Sequence, residues 1–336
     1  MPRLEPAWTT KLKQNLEKAS NLRKIIAAAI AVIAATTLGG CASHTSEDMY
    51  KSLSSVCGSF KTGDNAKKIN ITNTAGSQVP TVVAPSGIDS TSIETKVITV
   101  GSGPKITGAQ SIKFDFVETD AATGQVVAKS SFDGSDLQTQ FLKKGSNLCK
   151  ALAGVTEGST VALLVPSKML GNTGKDAAGG IFIFKIAKVF LPRAVGDEMS
   201  NQGGLPTVIR ATTGKPSILM PKGDAPTTLK TVTLIKGWGD KISLGHGQQV
   251  MLHYVGWIWG SSVSFESSWD NNAPLDFPYE KKQLVDGMLQ AIDGATVGSQ
   301  ILMVIPPKLG YGNEARGNIP ANSTLVFVVD ILGVQK

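Results

Sequence analysis

The stretch PPKLGYGNEARGNIPANSTLVFVVDI, residues 306–331, decides how the rest of the chain is read. Tyr311 stands between Gly310 and Gly312, a polar flap follows, then Ile319-Pro320, then a run rich in β-branched residues. That run has no helical period and reads as a strand. A connecting loop has no need of a tyrosine held between glycines. The segment therefore reads as a functional flap folded back on a closing strand.

The chain has 336 residues, more than one ordinary core accommodates, so two domains with extra segments are expected. Strand-like stretches such as TVTLIKGW and TLVFVVDIL dominate after residue 50. The formal charge is +7, but residues 1–40 hold six Lys/Arg and two Glu. The remainder carries 27 basic and 24 acidic residues, a mild excess of 3. No Arg/Lys stripe is interleaved with aromatics, so a nucleic-acid partner is excluded. His44, His246 and His253 are scattered, and no Cys/His cluster has metal-ligand spacing, so no metal is expected. His253 follows strand alternation and reads as a packed strand residue.

Near the N-terminus, Arg23-Lys24 end a basic region, an apolar run covers residues 25–38, and small residues lead to Cys41. The run is shorter than the roughly 20 residues that span a bilayer, which favours a secretory signal. LGGC resembles a bacterial lipobox. Residues 1–40 are thus expected to be a signal peptide, with Cys41 lipidated and residues 41–75 a flexible tether. The region before the apolar run is long for a signal, so the true start is expected downstream of Met1. An uncleaved anchor and an ordinary signal with a chance cysteine are the alternatives. Each places the bulk of the protein outside the cytoplasm. Export permits a disulfide between Cys57 and Cys149; two free thiols are the alternative.

The second half repeats the first. Residues 80–106 align without a gap to residues 216–242, matching Pro80/Pro216, Pro85/Pro221, Gly87/Gly223, Gly101/Gly237, Gly103/Gly239, Lys105/Lys241 and Ile106/Ile242. The likeness continues through AQSIKFDFVE and QQVMLHYVGW, then KALAGVTEGSTVALLVP and QAIDGATVGSQILMVIP, then GIFIFKIAKV and STLVFVVDIL, with Gly180 against Ser323. A repeat this long is a duplicated domain. Residues 191–206, polar with Gly and Pro, read as the linker between a domain at 76–190 and one at 207–336. Each copy carries one short helix, near 148–153 or 284–292. In the second, Val285, Met288, Leu289 and Ile292 share a face and Gly294 ends the helix. One helix against an antiparallel sheet is an α+β plan, with a ligand pocket at the mouth between them.

Over roughly residues 237–336 the second copy resembles the FKBP-type peptidyl-prolyl isomerases. The shared frame is GQQVMLHYVGW, SFESSW, PLDFPY, QLVDGMLQAIDGATVGSQILMVIPPKLGYG, IP and STLVFVVDIL. The resemblance implies an antiparallel half β-barrel wrapped on a short helix, which the repeat extends to tandem domains, with no cofactor. It implies a pocket of Tyr254, Phe265, Glu266, Tyr311 and Phe327 as catalytic residues. Leu275, Phe277, Leu284, Val285, Met288 and Ile319 would hold the substrate. Rotation about an X-Pro bond faces a barrier of about 20 kcal/mol set by amide resonance. A catalyst needs only to favour the twisted amide, for which an apolar aromatic cup and one rim donor, the Tyr311 phenol, suffice. Glu266 replaces the family's usual Asp, Met288 its usual Trp, Leu275 its usual aromatic, and Asn318 makes the flap more polar. These departures imply modest activity and weak binding of macrolide inhibitors.

The first copy is a degenerate version. Phe116 replaces Tyr254, Ala128 and Lys129 fall where Phe265 and Glu266 stand, and Leu170 or Gly171 falls at Tyr311. The expected protein is an isomerase acting on proline-containing exported clients from a lipid anchor at the outer, extracytoplasmic face of the cell membrane. A non-catalytic chaperone or adaptor is the second reading, and an adhesion role the third.

Overall fold

The computed structural model describes residues 44–58, 62–72, 78–172, 177–200 and 203–335. The signal segment 1–40 and the lipidation site Cys41 lie outside the described residues.

Helix α1 (Ser46–Lys51) comes first, then the antiparallel hairpin β1 (Asn70–Thr72) and β2 (Thr81–Val83). The next six strands are β3 (Glu94–Thr99), β4 (Gln110–Asp120), β5 (Val126–Lys129), β6 (Gln138–Leu142), β7 (Thr160–Val165) and β8 (Gly180–Val189), with α2 (Asn147–Leu152) after β6. They form one sheet in the order β3-β7-β8-β4-β5, with β6 also on β4. Strand β9 (Gly196–Glu198) leads to the hairpin β10 (Thr207–Arg210) and β11 (Pro216–Leu219). Then come β12 (Lys230–Gly237), β13 (Gln249–Ile258), β14 (Ser264–Ser267), β15 (Leu275–Pro278), α3 (Asp286–Ile292), β16 (Gln300–Ile305) and β17 (Leu325–Gln335). The second sheet runs β14-β13-β17-β16-β12-β9, with β15 on β13. Apart from β9 its order repeats that of the first sheet, strand for strand.

Both faces of each sheet are covered, which explains why β16 and β17 read as continuous apolar runs. In the second sheet Ile301, Met303, Phe327 and Val329 face the helix side, packed with Met288, Leu289 and Ile292 of α3. Their neighbours Leu302, Val304, Val326 and Val328 face outward and are capped by Val208 and Ile218 of the β10–β11 hairpin. In the first sheet Val161, Leu163, Phe184 and Ile186 pack on α2, while Ala162, Leu164, Ile181 and Ile183 are covered by Ala66, Ile69 and Val82. Burying each large side chain stabilises the fold by roughly 1.5–3 kcal/mol, so these covers matter.

The segment expected to be a flexible tether, 41–75, is instead docked on the fold in its described residues. Among its described residues, Met49 is fully buried and the Tyr50 hydroxyl donates to the Val189 carbonyl at 3.0 Å. Residues 66–72 supply the outer cover of the first sheet. Cys57 is disulfide-bonded to Cys149 of α2, 92 residues away. The linker expected at 191–206 is also partly structured. Leu191 is fully buried, its N–H donates to the Leu332 carbonyl, and the Ala194 N–H donates to Asp330 Oδ2 at 2.8 Å. β9 pairs with β12, extending the second sheet at its open edge. Polar side chains gave no sign of this, because backbone groups and one buried carboxylate make the attachment. The two sheets belong to one compact unit and share a cross-sheet ion pair, Lys113 Nζ to Asp276 Oδ2 at 2.9 Å.

The hydrogen-bond register corrects two alignments. β7 pairs Leu163 with Phe182 as β16 pairs Met303 with Phe327, so Phe182 is the counterpart of Phe327 and Gly180 that of Leu325. The sequence reading placed this strand two residues away. A slip of two keeps every side chain on its face, so the apolar pattern cannot reveal it. Ala128 lies opposite Glu118 as Glu266 lies opposite Gly256, so Ala128 corresponds to Glu266 and not to Phe265.

Candidate active site

β13 carries consecutive residues to opposite faces of the sheet. His253 points away from α3 and Tyr254 toward it. The His253 ring stacks on Trp269 at 4.1 Å and its Nδ1 sits 2.8 Å from Ser268 Oγ. Burial pushes its pKa down to about 3, so it is a neutral packed residue at ordinary pH.

On the other face a cleft of about 400 Å³ opens between β13, β17, the start of α3 and the flap. Its walls include Tyr254, Glu266, Leu275, Leu284, Val285, Met288, Tyr311 and Phe327. Phe265, Phe277 and Ile319, also expected in the pocket, do not line it. Phe265 packs edge-on against Phe327 with centroids 5.6 Å apart. Phe277 and Ile319 are buried in the core behind the walls. These three fix the shape of the lining. Lys282, Gln283, Gly310 and Arg316 line the cleft and were not anticipated.

Gly256 makes the aromatic wall feasible. A Cβ there would lie 2.6 Å from Phe265 Cζ and 2.7 Å from Phe327 Cε1, closer than carbon atoms approach. Tyr254 donates its hydroxyl to Glu266 Oε1 at 2.6 Å. The longer carboxylate thus reaches the phenol. Burial, and next this bond, raise the Tyr254 pKa above the ordinary phenol range, so the group stays a donor.

The flap is held by backbone. Arg316 and Ile319 exchange two N–H···O bonds of 2.9 Å, and the Asn322 N–H donates to the Gly312 carbonyl at 2.8 Å. Gly312 adopts φ +62°, a left-handed turn that a side chain would strain. Tyr311 is half-buried at the rim, with the Arg316 guanidinium 5.4 Å from its ring centroid. Among the described residues no hydrogen bond ends on its hydroxyl, which is free to donate to a substrate carbonyl. An arginine five positions beyond the flap tyrosine was the only sequence signal for this contact.

A family model described as FKBP-type peptidyl-prolyl cis-trans isomerase matches residues 240–332, from before β13 to within β17. The FK506-binding protein of Streptomyces anulatus is 33% identical over 122 residues, 36% of this chain and 97% of its own. The chain belongs to the FKBP-type peptidyl-prolyl cis-trans isomerases. It is accordingly an enzyme of X-Pro bond rotation. The probable FK506-binding protein of Corynebacterium glutamicum is 36% identical over 118 residues, 97% of its length. FkpA from Escherichia coli is 26% identical over 38% of this chain and 51% of its own, with a TM-score of 0.29, too low to bear on the fold.

The first sheet offers a contrast within one FKBP-type chain. Counting from Pro166 and Pro306, which end equivalent strands, Gly171 stands where Tyr311 does. The open choice between Leu170 and Gly171 is thereby resolved. Phe116 stands at Tyr254, each N–H accepted by an equivalent serine, Ser130 or Ser268. Gln138 stands at Leu275 and Gln140 at Phe277, after matching the bulges at 113/114 and 251/252. Glu118 stands at Gly256. Apolar walls have become polar, the space for the aromatic pair carries a side chain, and the flap phenol is gone.

Proposed function

We propose that the second sheet isomerises X-Pro bonds in exported client proteins, with the chain lipid-anchored through Cys41 at the outer face of the cell membrane. The observation that carries this reading is the cleft in which Tyr254, Met288 and Phe327 form an apolar cup beneath the rim phenol of Tyr311. The proline ring enters the cup. The cup strips water from the preceding carbonyl, which favours the twisted, less polar amide. Tyr311 donates to a neighbouring substrate carbonyl, and the Tyr254–Glu266 pair fixes the opposite wall. No covalent step is required. The Cys57–Cys149 bond supports export, since such bonds persist in oxidising compartments. Macrolide inhibitors that fill this kind of cleft bind weakly here, because Met288 and Leu275 offer a softer floor and one wall fewer than an aromatic pair.

The first sheet is read as a degenerate copy of the same half-barrel domain, kept as a scaffold or client-holding surface. That leaves a second reading, a chaperone or adaptor that holds extended segments, favoured by the loss of the cup in this copy. Refolding of a secreted protein limited by a proline step separates the two. Catalytic amounts of the full chain should accelerate the slow phase. If the folded protein only retards aggregation at stoichiometric amounts and leaves that phase unchanged, the holding reading prevails.

A further inference from the structure

A second cavity, about 560 Å³, lies at the junction of the two sheets and is larger than the isomerase cleft. One wall is aromatic and assembled from distant segments. Phe141 comes from β6 of the first sheet, His253 from β13 and Trp269 from beyond β14. The rings form a cluster, with His253 stacked on Trp269 at 4.1 Å and Phe141 edge-on to His253 at 6.4 Å. The lining also includes Val56, next in sequence to Cys57 of the Cys57–Cys149 disulfide.

The charge of the lining is one-sided. It includes Lys144, Arg193 and Lys215 and no carboxylate. Lys215 is paired with Asp270. Lys144 and Arg193 form no ion pair within 4.0 Å of a described residue. Asp330, which feels the Arg193 charge, is buried and accepts from the Ala194 N–H and from Gln300 Nε2 at 2.7 Å. A concave site with an aromatic wall and a lining that holds cations but no carboxylate matches an apolar body that carries one anionic group. A planar carboxylate suits a guanidinium in particular, through two parallel hydrogen bonds. The volume suits a small ligand.

We propose that this junction is a binding site for a small aromatic carboxylic acid, its ring against Trp269 and its carboxylate on Arg193 with Lys144 at the rim. It is a site distinct from the prolyl cleft. His253 and Tyr254 leave opposite faces of β13, so the two ligands do not compete. The inference stands apart from the isomerase reading and does not depend on it.

The test is titration of the full chain with 3-phenylpropanoate, followed by calorimetry and by tryptophan emission. Saturable binding is expected, at least tenfold tighter than that of 3-phenylpropanamide. Arg193→Gln should weaken it tenfold or more and Lys144→Gln about threefold. The emission change should vanish in Trp269→Phe, while Tyr311→Phe should leave binding unchanged. Lys144 is exposed, so its variant keeps the test decisive if the Arg193 variant does not fold. Absence of saturable binding would overturn the proposal. So would equal affinity for the amide, indifference to Lys144→Gln, or tighter binding of the tripeptide Gly-Gly-Phe, which would point to a polypeptide C-terminus.

Discussion

Replacing Cys57 and Cys149 with alanine should destabilise the first sheet far more than the second. The disulfide closes a segment of 92 residues between the cover and α2. The chain-entropy relation for a loop of that length gives about 4.6 kcal/mol at 25 °C. Cys149 is fully buried in the core beside Leu152 and Val155, so the lost sulfur contacts add to that figure. A shift of 2–4 °C per kcal/mol is usual for units of this size, so the transition should fall by roughly 10–20 °C. Differential scanning calorimetry of the full chain, oxidised and reduced, reads the shift directly. The double alanine variant should be insensitive to reductant. Prolyl-isomerase activity at 25 °C should be retained, because the cleft draws no lining from the first sheet. A shift below about 2 °C in both the reduced protein and the variant would mean that the disulfide contributes little to stability.

Other perturbations follow from single contacts. Gly256→Ala should force Phe265 and Phe327 apart, costing about 1–3 kcal/mol of stability and tenfold or more in kcat/KM, read by thermal unfolding and a peptide assay. His253 has its pKa pushed down to about 3, so the unfolded chain takes up a proton below about pH 6.5 that the folded chain refuses. Stability should therefore fall by about 1.4 kcal/mol per unit as pH drops from 6.5 toward 3, and His253→Asn should remove that slope in urea titrations. Asp330 runs the other way. Burial raises it to about 6, so its contribution is present below pH 4 and is lost as pH rises through 6. Between pH 4 and 6 the two slopes oppose, so His253→Asn should make the pH slope of stability less positive and Asp330→Asn should make it less negative. Lys113→Met should cost about 3–5 kcal/mol by stranding Asp276, and Lys113→Met with Asp276→Leu should recover most of it.

Much of the second sheet's site was legible because its chemistry demands rare local patterns. A tyrosine between glycines, followed by Ile-Pro and an apolar strand, resembles the FKBP flap, and that resemblance implied the roles of Tyr311 and Phe327. The division between lining and support was not legible, since Phe265, Phe277 and Ile319 differ from Phe327 only in which neighbour they touch. Lys282 and Arg316 escaped because a flap has no periodicity to place them. The tether at 41–75 was misread because a short polar segment needs only Met49, Ala66 and Ile69 to dock on a sheet. Register in the first copy failed where period-2 alternation is blind, at a slip of two residues in β8.

The most direct test of the central claim is the rate of cis-to-trans rotation in a peptide with Leu-Pro or Phe-Pro, measured for the full chain and for Tyr311→Phe. The parent should accelerate rotation, and removal of the one hydroxyl should lower kcat/KM about tenfold with thermal stability unchanged. No acceleration by the folded parent, or equal rates for the two proteins, would contradict the claim.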